Sequence, residues 1–386
     1  MANTITNLIP TLYAALDIVS RELVGFIPAV SRNSTAERVA VNQTVNIPVA
    51  PPIVGGDIVA GQLPPDDGDA SFGNVTMTIQ KSRYWPVRWT GEERLAVSES
   101  GLKDNVVTQQ FAQALRAACN EIEVDLAALH ITASRAYGTA GTTPFGTAGD
   151  LSDLSQSKRI LEDNGAPQTD LQFVLGTSAK ANLGGKQSVL FKMNEAGTDD
   201  LLRRGIIGQL EGFDMHASGQ VKTSVAGTAA SATTNAAGYA VGTTTLTLAA
   251  AGTGTLVAGD CITFAGDTNI YVVVSGDTDV SNGGTFVIAE PGLRVAMSAA
   301  TKAITVIAAS ARNMAFSRSA IQLATRMPAL PDGGDSADDR MTITDPVSGL
   351  TFEVSLYRLY RRIKYEIAIA WGVKTIAPRH VMNLLG

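Results

Sequence analysis

With two cysteines, three histidines and few aromatic residues, this 386-residue chain is short of the usual materials of a catalytic centre. Cys119 and Cys261 lie far apart in apolar surroundings and read as buried small hydrophobes, so no disulfide framework is expected. His130, His216 and His380 stand singly. None has a second His or Cys at metal-ligand spacing, and no metal or cofactor is expected. Charged residues make up only 17% of the chain against 45% hydrophobic, which implies large cores or much surface buried in assembly. A formal net charge of -6 argues against a dedicated nucleic-acid binder, which needs a concentrated basic face. It remains compatible with a wall that encloses nucleic acid without gripping it. No stretch supplies the roughly 18 uninterrupted apolar residues of a membrane-spanning helix. The first turns carry Asp17 and Glu22 where a secretory signal would have a solid apolar run.

What the chain does have begins at its start. Ile5, Leu8, Ile9, Leu12, Leu16, Val19 and Leu23 recur at intervals of three and four, one stripe of an amphipathic helix. Thr4 is placed to cap it, Gly25 to stop it, and Pro28 forbids continuation. Gly25-Phe26-Ile27-Pro28 is expected to carry the apolar surface onward in extended form. Such an arm needs a surface to lie on.

Residues 47–75 hold Pro48, Pro51, Pro52, Pro64, Pro65, Gly55-Gly56 and the acidic turn Asp66-Asp67-Gly68-Asp69. That density excludes a central strand or helix. The partly alternating flanks, 41–49 and 75–81, make this a long two-stranded β excursion with an irregular tip, marginal alone. A helix is predicted from Lys103 to Tyr137, with Val107, Phe111, Leu115, Ala118, Ile122, Leu126 and Leu129 on one face. Some 30 residues give a rod of roughly 45 Å. A mixed α/β unit follows, with a helix over 151–164 and a buried strand at 171–175. From Ser224 to Gly259 charge vanishes. Short apolar runs separated by turn residues then predict a small all-β sandwich or barrel, inserted because mixed character returns at Asn313. The last segment reads as a β pair across the turn 345–349, a closing segment 361–371, and a separate strand 373–376 beyond Gly372.

No catalytic motif survives inspection. Ser155-Gln156-Ser157-Lys158 fits a serine–lysine spacing without the companion Lys-Thr-Gly, since Ile376 follows Lys374-Thr375. Gly185-Lys186 lacks the first glycine and the Ser or Thr of a phosphate loop, with Lys180 and Gln187 in those places. The acidic turn lacks the spaced ligands of a calcium loop. Lys81, Arg83 and Arg88, interleaved with Trp85 and Trp89 and followed by Glu92 and Glu93, read as a set of intersubunit or intrachain ion pairs.

The order of these elements resembles the major capsid proteins of tailed bacteriophages, the Hong Kong 97 fold, and more narrowly podovirus coat proteins with an inserted domain. The opening NTITNLIPTLYAALDIVSRELVGFIPAVSR, the stretch GNVTMTIQKSRYWPVRWTGEE and the closing IAIAWGVKTIAPRHV carry the resemblance. It implies an α+β chain in five parts. These are an N-terminal arm (1–46), an extended loop (47–90), and a peripheral domain with a spine helix (91–149). An axial α/β domain with a return to the peripheral sheet follows (150–217 and 313–386), and the inserted β domain spans 218–312. It implies a non-enzymatic shell of hexamers and pentamers, assembled in the host bacterial cytoplasm and resident in the virion. The partners implied are other copies of itself, a separate scaffolding protein, a portal protein, a decoration protein as a further candidate, and packaged double-stranded DNA held without sequence-specific contacts. Some members weld subunits through a loop lysine. No lysine lies between Ile47 and Gln80, so no such bond is expected.

On this reading Leu8, Leu12, Leu16 and Phe26 make arm contacts, Ile53, Ile58 and Leu63 sit at the loop tip, and Arg83, Arg88 and Glu92 form subunit contacts. Phe26→Asp is expected to block assembly without unfolding the monomer. Two other classes stay open. One is a different assembly protein, such as a tail tube or surface layer, against which the long helix argues. The other is a hydrolase using Ser155 or His130.

Overall fold

The computed structural model describes Leu12, Ala14, Ala15 and residues 25–49, 73–99, 103–187, 208–345 and 349–386. Most of the predicted arm helix, the loop tip 50–72 and the acidic turn lie outside the described residues.

The chain is α+β, with few helices and much sheet. Its strands are β1 (Ser31–Val39), β2 (Thr44–Val49), β3 (Gly73–Thr78), β4 (Lys81–Thr90), β5 (Arg135–Tyr137), β6 (Leu171–Leu175), β7 (Gln209–Leu210) and β8 (Phe213–Ala217). Then come β9 (Thr245–Thr247), β10 (Cys261–Phe264), β11 (Ile270–Ser275), β12 (Thr285–Ile288) and β13 (Ile304–Val306). The set ends with β14 (Arg312–Ser317), β15 (Ile321–Pro328), β16 (Asp339–Thr344), β17 (Thr351–Leu359), β18 (Arg362–Thr375) and β19 (Val381–Leu385).

β18 organises the first sheet, which has six strands. β4 runs antiparallel to it from Lys81 opposite Trp371 to Thr90 opposite Arg362. β17 pairs with the Arg362–Ala368 half and β15 with the Ala370–Thr375 half. Both pair with residues that β4 also holds, so both lie on the edge of β18 away from β4. β16 extends beyond β17, and β1 joins β15 in parallel.

The helix Lys103–Ala127 packs on the odd-numbered face of β18. Phe111, Leu115 and Ile122 meet Tyr365, Ile367, Ile369 and Trp371 in the largest apolar cluster. The predicted stripe is therefore the buried face. The helix ends earlier than the pattern implied, because 128–132 tighten into a 3₁₀ turn and 135–137 are drawn into a sheet. Gly372 does not end β18 as predicted. A Cβ there would stand 2.2 Å from the Thr78 carbonyl oxygen, so this glycine makes room for a crossing strand.

That crossing strand is β3, paired antiparallel with β2 in a two-strand ribbon. Val45 lies opposite Met77 and Ile47 opposite Val75. Met77, Ile79 and Val39 seat the ribbon's root against Ala324 and Ala370.

The second sheet runs β13-β10-β11-β5-β19-β14-β6-β8-β7, with β12 and β9 joined through β11. Its helix Ser152–Asp163 buries Leu154, Ile160 and Leu161 against Phe173, Phe213 and Leu384. Of residues 313–386, only β14 and β19 enter this sheet and β15–β18 belong to the first. The return to the first sheet is thus larger than expected. Strands β9–β13 close over a core of their own, including Leu246, Ile262, Phe264, Tyr271, Phe286 and Ile288. They are still stitched to the body, since Ile270 and Tyr271 of β11 pair with Ala136 and Arg135 of β5.

Candidate assembly surfaces

The segment leaving residue 25 is not extended as expected. Phe26–Ala29 form one helical turn with Phe26 and Ile27 fully buried. The cause is Glu123 on the long helix, itself 2% exposed. The Phe26 N–H donates to Glu123 Oε2 at 2.9 Å and the Ile27 N–H to Oε1 at 2.7 Å. The Ser218 hydroxyl donates to Oε2 at 2.8 Å. The carboxylate thereby satisfies the first free N–H groups of the turn, where Pro28 is tolerated. Burial pushes the Glu123 carboxyl above its ordinary range, and these three hydrogen bonds pull it back in part. Gly25 is required by proximity, because a Cβ would lie 2.3 Å from Glu123 Oε2.

Leu12 and Phe26 were expected to meet a neighbouring subunit. Both are enclosed within this chain, at 1% and 0% exposure. Phe26→Asp would therefore place a charge in the core and strike the fold itself, which corrects the expectation above. Leu8, Leu16, Ile53, Ile58 and Leu63 lie outside the described residues.

Strand β1 is pinned at the sheet edge by charge. Glu353, 5% exposed, takes Arg38 at 2.5 Å and Arg340 at 3.1 Å, and Arg326 donates to the Asn33 carbonyl at 2.6 Å. The predicted ion pairs of β4 turn out to be intrachain, with the long helix and not with Glu92 or Glu93. Alternation puts Lys81 and Arg83 on the helix-facing side. Lys81 Nζ lies 2.8 Å from Asp125 and Arg83 Nε 3.0 Å from Glu121. The same Asp125 accepts the Trp371 indole N–H at 2.9 Å. Arg88 points to the other face and is exposed. Glu93 joins Thr90 in a capping box, with N–H to oxygen distances of 2.8 and 3.2 Å, while Glu92 lines an open groove of roughly 690 Å³.

Sequence reasoning missed Glu123, Glu353 and this capping box. Thr90-x-x-Glu93 was legible as a cap. Glu123 stands one helical turn beyond buried Cys119, on the border of the apolar stripe, which marks a buried carboxylate.

The catalytic candidates find structural partners. Ser155 Oγ donates to Glu211 at 3.0 Å. His130 is buried on the Ala127 carbonyl at 3.1 Å, and burial lowers its pKa. His216 meets Gln172 at 2.8 Å. Burial pushes the Cys261 thiol up to about 11, and Cys119 also rises. Among the described residues no three His, Cys, Asp or Glu side chains are placed to hold a metal. No described helix is long and apolar enough to cross a membrane.

No family model matches the chain, and no curated protein does. Solved structures do. The capsid of cyanophage P-SCSP1u matches with a TM-score of 0.48 and 10% identity over 93% of this chain and 87% of that one. A virus-like particle from Pyrococcus furiosus gives 0.45 and 6% over 97% and 98%. Mycobacterium phage Che8 gives 0.43 and 13% over 90% and 88%. Each TM-score lies below 0.5, so the function of this chain rests on its own residues.

Proposed function

We propose that this chain is the major capsid protein of a tailed bacteriophage, a non-enzymatic subunit that assembles into an icosahedral shell around double-stranded DNA. The observation that carries the reading is the β2–β3 ribbon. Its root is seated by Met77 and Ile79 with Val45 and Ile47 packed beside them, and Val45, Ile47 and Val75 remain half-exposed along one face. A two-stranded ribbon with an apolar face is marginal in water and gains stability from a second surface. The opening segment is likewise fixed, at Phe26 and Ile27, by Glu123.

On this reading residues 1–46 form the arm and 47–90 the extended loop. The six-stranded sheet and long helix form the peripheral domain, and the second sheet the axial domain. Residues 218–312 form the insertion. The subunits group into hexamers and pentamers, with a separate scaffolding protein and a portal protein, and a decoration protein is a further candidate partner.

The test is negative-stain electron microscopy of the protein expressed with and without its neighbouring genes. Closed shells of uniform diameter are expected. Open tubes or sheets would move the assignment to another assembly protein, and a monodisperse monomer under all conditions would overturn it.

A further inference from the structure

A pocket of roughly 300 Å³ opens where three parts of the chain meet. β5 and the Gly138-Thr139 bend form one wall, and the helix Ser152–Asp163 contributes Arg159 and Ile160. The turn between β10 and β11 contributes Thr268 and Asn269. The volume stands at the small end of the range for ligand pockets. The charge around it has one sign. Arg135 and Arg159 line it together with Tyr137, Thr139, Thr268 and Asn269, and among the described residues no Asp or Glu does. In a chain of net charge -6, that is a local inversion of character.

Arg135 is only 3% exposed. Its Nη1 donates to Asn269 Oδ1 at 3.0 Å, and its Nη2 to Asp163 Oδ2 at 3.0 Å and to the Ile160 carbonyl at 3.3 Å. Its Nε finds no acceptor among the described residues. A guanidinium buried this far ordinarily has its donors engaged and its charge matched. Here the match is incomplete. Burial lowers the Arg135 pKa, Asp163 works against that, and the charge of Arg294 adds to it. Asp267, beside Thr268 in the turn, is already taken by the Asn269 N–H and amide and by the Tyr271 hydroxyl. Arg159 is exposed and has no carboxylate partner among the described residues. The side chains of Thr139 and Thr268 are exposed on facing walls.

We propose that this pocket binds a phosphate-type oxyanion. A guanidinium fork and hydroxyl groups are the donors that such an anion takes up, and the planar fork suits arginine better than lysine. Arg159 supplies the fork, and the hydroxyls of Thr139 and Thr268 donate from the two walls. Arg135, held in place by Asp163 and Asn269, supplies fixed positive charge behind them. An anion in this position touches the bend, the helix and the β10–β11 turn at once, so it fastens the turn to the elements beneath it. This goes beyond the shell reading and does not depend on it. The same chemistry comes from a free phosphate or from the backbone of a nucleic acid.

The probe is inorganic pyrophosphate, titrated calorimetrically into the full-length protein, with sodium chloride of equal ionic strength as the control. A single site is expected. Arg159→Ala should weaken binding by roughly ten-fold or more, and Arg159→Glu should abolish it. Arg159→Lys keeps the charge without the fork and should fall between wild type and Arg159→Ala. These changes are at an exposed position, so the circular dichroism spectrum should stay that of the wild type. Thr268→Val, on the opposite wall, is a second variant and should also weaken binding. Amide hydrogen exchange should slow at 135–139 and 268–271 when pyrophosphate is present. No binding to the wild type beyond the chloride control, binding that Arg159→Glu leaves unchanged, or slowing confined to other segments would each overturn the proposal. A short DNA duplex that displaces pyrophosphate supports the site with the nucleic-acid backbone as its source. A duplex that does not displace it supports the site with a free phosphate.

Discussion

At the scale of single residues, Glu123 is the most consequential side chain, and it was legible only as a charge beside an apolar stripe. The sequence pattern assigns each helical position to a face. It does not say that a carboxylate on the border will meet two backbone N–H groups from residues almost a hundred positions earlier. Its folded pKa is raised by burial from an ordinary value of 4.5. The folded state therefore binds a proton more readily than the unfolded chain, and the contribution of Glu123 to stability falls as pH rises from about 4.5 through the raised value. Urea unfolding of disassembled wild type and Glu123→Gln should show the wild type losing ground to the variant across that window. A pH-independent difference would remove the argument. Phe26→Ala should cost about 3–5 kcal/mol in the same measurement, because it empties a fully buried site. Phe26→Asp should lose the native circular dichroism spectrum.

At the scale of elements, strong periodicity was read correctly and tertiary overrides were not. The stripe from Val107 to Leu126 predicted the long helix because one face is apolar throughout. Its C-terminal boundary was misplaced because no Gly or Pro precedes Gly138. What ends the helix is β5, a three-residue strand held by β19 and β11, and such pairing leaves no local signature. Gly372 was read as a break for the opposite reason. Its cause is a chain crossing above it, and close approach and turning look alike in a sequence. The edge strand β1 carries a further test. Glu353→Gln removes the carboxylate shared by Arg38 and Arg340, and amide hydrogen exchange over 31–39 should accelerate while the long helix keeps its protection. Equal acceleration in both would mean that Glu353 holds the whole sheet and not this strand.

At the scale of the whole molecule, the proposed shell function is legible in element order more than in any residue, since no cluster of three metal-ligating side chains stands among the described residues. The surfaces first chosen as contacts were those with the strongest apolar pattern, and at Leu12 and Phe26 that pattern serves the chain's own core. The sequence alone does not place the turn at Tyr360-Arg361. Only the sheet register shows that it caps the end of β18 opposite the ribbon.

The attachment of the insertion has a mechanical side. β4 is laced to β18 through ten residue pairs, whereas β11 meets β5 through two. Beside that short lacing, Arg135 ties Asn269 at 3.0 Å to Asp163 at 3.0 Å. The entering and leaving strands of the insertion clasp at Thr223 and Ala311. On the proposed reading, a load on residues 218–312 reaches the rest of the chain through the β11–β5 pairing and through Cys261 and Val272, which share an apolar cluster with the long helix. Two residue pairs alone would part easily, but with Cys261 and Val272 in that cluster the load passes on to the helix and its sheet and does not stop at the strand edge.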